Sequence, residues 1–304
     1  MNLPDTEFLS KIEGIEALSA EADPPVSEAR LRGLLEGARD LTGQNRGHLV
    51  EILALIARTE AQQGKFSEAR KSLEEADLIL KEEAALAWVA PKIRWLIEKG
   101  RLNILEKTPS QARILFSEAW NLAVNSNEDF FAVELTQLMA MIEPQKVQQE
   151  WIHRGIEIAE KSKLAKAKSR LGTLYMTLGW KLYELRQFEK STGLFERALK
   201  EFKNSEKKRE AFIAEWSIGK VLRVLGKTEA ALALQQRLLA ELGLSGQRDG
   251  RLYEELAECL QTLKRTEEAQ SYFGLAYKEF SSDEWVTDNQ PVRLKRMKDL
   301  GKIK

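Results

Sequence analysis

The chain is poor in the residues that cross-linking and most side-chain chemistry require. Of its 304 residues one is cysteine, Cys259, and two are histidine, His48 and His153. A single thiol excludes an intramolecular disulfide framework, and Cys259 reads as a small apolar residue on the buried side of a helix. Neither a His-Glu-x-x-His pair nor a Cys/His cluster with zinc-ligand spacing is present, and there is no Gly-x-Ser-x-Gly or Walker loop. The two histidines read as exposed or helix-end residues. Metal and cofactor sites are therefore not expected, and an enzyme is the least favoured class. Lysine plus arginine and aspartate plus glutamate each number 47, so the formal net charge is zero, whereas a dedicated nucleic-acid binder is normally basic. No apolar run reaches the eighteen or so residues of a membrane span. Residues 1–5 lack the basic and then apolar pattern of a secretory leader, so a cytoplasmic protein is expected. Prolines are few, seven in all, and fall mainly at turns or helix ends. Long helices fit between them, strand-like alternation is missing, and the chain reads as all-α.

What is present is a repeat. Small residues stand at Ala57, Gly100, Ala140, Gly179, Gly219 and Ala257, with starts 43, 40, 39, 40 and 38 residues apart. Twelve positions after each comes Ala69, Ala112, Ile152, Ser191, Ala231 or Ala269. Seven further on stands Ala76, Ala119, Ala159, Ala198, Leu238 or Ala276. Between these two sets sit Leu73, Phe116, Ile156, Phe195, Gln235 and Phe273. A fixed period of this size marks a helical-repeat solenoid. The physical reading is a helix, a short turn and a second helix. The small residue on the first helix admits the second, alanines on one face of the second admit the next unit, and the large residue fills the gap. One pair cannot bury its apolar face alone, but stacked neighbours can.

These positions resemble the tetratricopeptide repeat. The best copy is Tyr175, Leu178, Gly179, Leu182, Ser191, Phe195 and Ala198, followed by Ile218, Gly219, Leu222, Gly226 and Ala231, and by Tyr253, Leu256, Ala257, Leu260, Ala269, Phe273 and Ala276. A further copy is Leu53, Ile56, Ala57, Gly64, Phe66, Ala69, Leu73 and Ala76, while 93–122 and 133–160 are weaker, with Pro144 at the inter-helix turn. Ser19, Leu31, Leu35 and Ala38 fit one more unit in phase, its turn at residues 23–25. The period exceeds the family's usual 34 or so residues, as it does in long-helix and peptide-sensing members. The expected architecture is a right-handed α-solenoid over 1–304 as a single domain. It has an atypical N-terminal repeat at 1–45, repeats over 46–280, and a C-terminal cap and basic tail at 281–304. The linkers at 124–129, 203–209 and 243–250 are polar and short. In the cap, Pro291 opens a helix from which Val292, Leu294, Met297 and Leu300 would cover the last repeat. Its cations Arg293, Lys295, Arg296, Lys298, Lys302 and Lys304 offer a second, basic surface.

The resemblance implies where binding occurs. In that family the first helices line the concave face, and positions one after and three before the small residue point inward. Applied here, that register and the positions three beyond it bring Arg101, Trp180, Tyr183, Trp216, Lys220 and Arg223 to the concave face. Exposed Trp, Tyr and Arg dominate binding hot spots, so the implied partner is a protein or peptide carrying acidic and apolar residues. The opposing reading packs the tryptophans into helix–helix contacts and leaves the cations solvated. Chaperone-binding members use a carboxylate clamp with asparagine two before the small residue. Here those positions hold Leu55, Glu98, Leu138, Thr177, Ser217 and Glu255, which argues against that role. A non-enzymatic scaffold or adaptor is thus the favoured function. The alternative is a sensor that binds a small ligand or signalling peptide and changes conformation.

Overall fold

The computed structural model describes Ile15 and residues 23–303 except Ser245, with Glu83 and Ala84 described by backbone alone. Ser19, residues 1–5 and Lys304, on which sequence expectations also rest, lie outside the described residues. Among the described residues the secondary structure is entirely helical, with no strand. The chain divides into two compact units at Lys168–Ser169.

The first unit contains α1 (Pro24–Arg39), α2 (Gly47–Gln62), α3 (Phe66–Ile79), α4 (Val89–Leu105), α5 (Pro109–Asn125), α6 (Asp129–Ile142), α7 (Gln145–Lys161) and the one-turn α8 (Ala165–Lys168). The second contains α9 (Leu171–Glu184), α10 (Phe188–Asn204), α11 (Lys208–Val224), α12 (Thr228–Leu244), α13 (Gly250–Thr262), α14 (Thr266–Phe280), α15 (Glu284–Asn289) and α16 (Pro291–Leu300). Each unit is a stack of antiparallel helix pairs: α2/α3, α4/α5 and α6/α7 in the first, α9/α10, α11/α12 and α13/α14 in the second. α1 packs on α2. α16 packs on α14.

The helices start where the sequence prepares them. Pro24, Pro109 and Pro291 open α1, α5 and α16, where a missing N–H costs nothing and the fixed φ already suits a helix. Asp249 caps α13 by accepting from the Arg251 and Leu252 amides at 2.9 and 3.3 Å, and Asp283 caps α15 through the Val286 amide at 3.2 Å. Pro144 is the N-cap of α7, in the turn between α6 and α7. Most turns inside the pairs close through one residue in the left-handed region. This is Gly64 or Gly226 in two turns (φ 76° and 78°), and Lys107, Arg186 or Lys264 in three others (φ 61°, 59° and 62°).

The four positions that define the period, from Ala57 to Ala276, are buried in every unit except at Ala140, which is half-buried. The reason for the small residues is direct. A Cβ built on Gly100 would lie 2.3 Å from the Phe116 ring, one on Gly179 2.5 Å from the Phe195 ring, and one on Gly219 2.3 Å from the Gln235 amide nitrogen. In each pair the small residue of the first helix receives the large residue sixteen positions later on the second.

Candidate functional site

Of the six residues that sequence reasoning placed on one binding face, Arg101 belongs to the first unit and the other five to the second. In the second unit Trp180 and Trp216, on the consecutive first helices α9 and α11, meet with ring centroids 5.8 Å apart at 39°. Trp180 also meets Tyr183 at 5.3 Å and the buried Phe195 at 5.1 Å. The Trp216 indole N–H donates to the Arg251 carbonyl at 3.2 Å, which fixes its ring against α13. Trp180, Tyr183 and Trp216 are all half-buried. The outcome lies between the two sequence readings: each ring packs on one side and leaves part of its surface open. We call this group the aromatic shelf.

The cations beside the shelf are engaged. Arg223 donates to both oxygens of Glu255 on α13, and the Lys220 ammonium lies 3.3 Å from the same carboxylate and 5.5 Å from the Trp216 ring centroid. Glu255 is 1% exposed. Burial works to lower the Arg223 pKa, but the hydrogen bond and charge of Glu255 outweigh it and raise it. Two cations share one buried carboxylate, leaving surplus positive charge next to the aromatic rings.

The first unit repeats this logic. Arg101 donates to Glu134 on α6 at 2.7 Å and lies 3.5 Å from Glu98. Burial opposes its positive charge, and Glu98 and Glu134 together override that, so its pKa rises. Arg32 bonds Glu60 at 2.5 Å, and Arg58 faces Glu98 at 3.8 Å. Glu60 is pushed up by burial, against the Ser72 hydroxyl and the charge of Arg32. Ion pairs between successive helices therefore line both units. These acidic partners were not assigned from the sequence. The available signal was Glu98 and Glu255 standing two residues before the small position, where the chaperone clamp would have asparagine.

The C-terminal helix caps the second unit through the same device. Arg293 bonds Glu254 and Arg296 bonds Glu258, while Met297 is fully buried and Leu294 and Leu300 pack on the same core. Val292 does not join them and is 82% exposed. It lies outside the i, i+4, i+7 face formed by Arg293, Met297 and Leu300. With Lys295 also paired to Asp299 at 2.7 Å, much of the basic charge expected to face an acidic surface is neutralised within the unit.

Chemically reactive groups are quiet. Burial, reinforced by the charge of Glu255, pushes the Cys259 thiol up to about 12. Among the described residues no group of three His, Cys, Asp or Glu side chains is arranged to hold a metal ion, and no helix is long and apolar enough to cross a membrane.

No family model and no curated protein matches the chain. Solved structures do. A signal transduction ATPase with numerous domains, carrying a tetratricopeptide repeat sensor, from Pyrococcus horikoshii superposes with a TM-score of 0.69 at 13% identity, covering 94% of this chain and 43% of that one. The chain thus spans less than half the length of that protein. The apo form of RapI gives 0.70 at 10% identity, over 92% and 76% of the two chains. The apo quorum sensor NprR of B. thuringiensis gives 0.64 at 13%, over 97% and 82%. Identities this low establish fold and nothing further. The fold is the all-α tetratricopeptide type.

Proposed function

We propose that this chain is a non-enzymatic peptide- or protein-binding adaptor whose recognition surface is the aromatic shelf of the second unit. The observation that carries the reading is the Trp180–Trp216 pair, half-open on consecutive first helices and braced by Phe195 and the Arg251 carbonyl. Rigid aromatic rings supply contact area at low entropic cost, and Trp, Tyr and Arg dominate interface energetics. Lys220 beside the rings suits a segment with an apolar anchor and a nearby acidic residue. Two similar folds support a peptide partner: NprR in complex with its cognate peptide NprX (TM-score 0.52, 14% identity) and a Rap protein complexed with Competence and Sporulation Factor (0.51, 15%). The densest polar clusters are built from Arg–Glu ion pairs, which is the chemistry of a scaffold rather than of acid–base catalysis. We place this role in the cytoplasm, where an unpaired thiol such as Cys259 stays reduced. A sensor variant of the reading is favoured by the ion pairs joining successive first helices, since a bound segment that competes for them would shift those helices.

The test uses displayed random peptides selected on the native protein. Enriched sequences are expected to share an aromatic or large aliphatic residue with an acidic neighbour, and Trp216→Ala should weaken them by about 2 kcal/mol. Peptides that bind folded Trp216→Ala as tightly as the native chain would remove the shelf as the site.

A further inference from the structure

The aromatic shelf holds hydrogen-bond donors that the fold does not use. Trp216 spends its indole N–H on the Arg251 carbonyl at 3.2 Å. The Trp180 indole N–H and the Tyr183 hydroxyl bond to no described residue, and neither atom is closed off from solvent. The acids beside the rings are engaged. Glu255 is held by Arg223 and Lys220, and Glu184, one turn on from Trp180, lies 3.5 Å from the Lys181 ammonium. The Thr177 and Ser217 hydroxyls donate back to carbonyls of their own helices at 2.9 and 2.7 Å. α9 and α11 are helical through the shelf positions, so their amides and carbonyls are spent on bonds along the helix. The shelf therefore offers ring faces and free donors, but no free acid and no strand edge.

That set of groups discriminates between the backbones a bound segment can bring. An ordinary extended segment carries an amide N–H at every residue, and each one buried here without an acceptor bears the full desolvation penalty. A helical segment satisfies its own amides and carbonyls alike, so it would cover the Trp180 and Tyr183 donors without pairing them. A proline brings a carbonyl and no N–H, and polyproline II leaves its carbonyls outside any internal bond. Its rise of about 3.1 Å per residue spreads two residues over about 6 Å. The ring centroids of Tyr183 and Trp216 stand 5.3 and 5.8 Å from that of Trp180. Aromatic-lined grooves take polyproline II segments in this manner, and the stiffness of such a segment keeps the entropic cost of binding low. We infer that the segment held by the shelf is proline-rich and in the polyproline II conformation, its carbonyls accepting from Trp180 and Tyr183. The inference rests on the shelf being the recognition surface and names the class of segment it takes: prolines flanking the apolar anchor and the acidic residue.

The experiment titrates two synthetic peptides into the full-length protein and follows its tryptophan indole N–H resonances. Ac-Pro-Pro-Leu-Asp-Pro-Pro-NH2 and Ac-Ala-Ala-Leu-Asp-Ala-Ala-NH2 share the anchor and the acid and differ only in the flanking residues. The proline peptide should bind the native chain about tenfold more tightly than the alanine peptide and move the Trp180 indole proton downfield in a saturable way. That resonance is assigned by its loss in Trp180→Phe, which keeps a ring without the donor and should weaken the proline peptide about tenfold. Tyr183→Phe, which removes only the hydroxyl, should weaken it as well, and Trp216→Ala should weaken both peptides. Equal binding of the two peptides, each weakened by Trp216→Ala, would overturn the proline inference and leave the shelf in place. Binding that folded Trp216→Ala does not alter would remove the shelf, and the inference with it. The inference also falls if the proline peptide fails to saturate, or if it binds Trp180→Phe and Tyr183→Phe as tightly as the native chain.

Discussion

Replacing glycine by alanine at two positions of the α9/α10 pair should shift stability in opposite directions. At Gly179 the added methyl would sit 2.5 Å from Cε1 and 2.8 Å from Cδ1 of Phe195, a ring with no exposure. No flexible chain end is involved, since the ring is wedged between Gly179 and Trp180, whose centroid lies 5.1 Å away. Overpacking of this kind costs about 1–3 kcal/mol, while alanine in a helix interior regains about 1 kcal/mol over glycine. The expected net is a loss of about 0–2 kcal/mol. At Gly193, inside α10, nothing lies within 4 Å of the built methyl, so only the propensity term acts and a gain of about 0.4–1 kcal/mol follows. Urea unfolding followed by circular dichroism measures both. Phe195→Leu in the Gly179→Ala background should recover part of the loss, giving a coupling energy in a double-mutant cycle. If both alanines stabilise, or the cycle shows no coupling, the close approach of small and large residues is not what sets the helix spacing.

Three other outcomes follow from particular side chains. Gln235 is fully buried at the position that is phenylalanine in three other repeats, and its amide oxygen has no partner, so Gln235→Leu should raise stability by about 1 kcal/mol in the same melts despite losing the bond to the Trp216 carbonyl. Glu28 is pushed up by burial but pulled further down, to about 2, by hydrogen bonds from Arg32, Lys65 and Gln63. Its stabilising effect is therefore complete above the ordinary value of 4.5 and is lost as pH falls towards 2. The difference between native protein and Glu28→Gln should accordingly be greatest above pH 4.5 and vanish near pH 2. Cys259 is buried with its pKa at about 12, so a thiol reagent at neutral pH should react slowly with folded protein and promptly in denaturant. Prompt reaction in the native state would refute the placement of this helix face.

The repeat was legible because close packing forces a regular spacing on the sequence. Gly100 with Phe116 and Gly179 with Phe195 are sixteen residues apart because the turn and helix geometry allow little else. Gln235 kept the spacing while breaking the chemistry, and it is buried all the same. The shelf was legible in part: the register brought Trp180, Tyr183, Trp216, Lys220 and Arg223 together, while Arg101 belongs to the other compact unit. The pairing of the cations was not legible. Lys220 and Arg223 reach Glu255 across thirty-five and thirty-two positions, and a long flexible side chain can find any acid within reach, so no sequence period records its choice. Val292 was assigned to the core by its apolarity, yet a ten-residue helix at the end of the stack buries only the stripe that faces α13 and α14.

The left-handed turn residues have a consequence for anyone modifying this protein. Lys107, Arg186 and Lys264 hold backbone conformations that cost an ordinary side chain about 1 kcal/mol each, and the equivalent turns at Gly64 and Gly226 show that glycine serves the same geometry. Lys107 and Lys264 lie away from the shelf residues in sequence and take no part in the ion pairs of the first helices, whereas Arg186 follows Tyr183 by three residues and its amide donates to the Tyr183 carbonyl. Lys107 and Lys264 are therefore natural points for building a hardier variant by glycine or asparagine exchange, with recognition left as it stands. The lysines released there are also the charges most easily traded for a label or a tether.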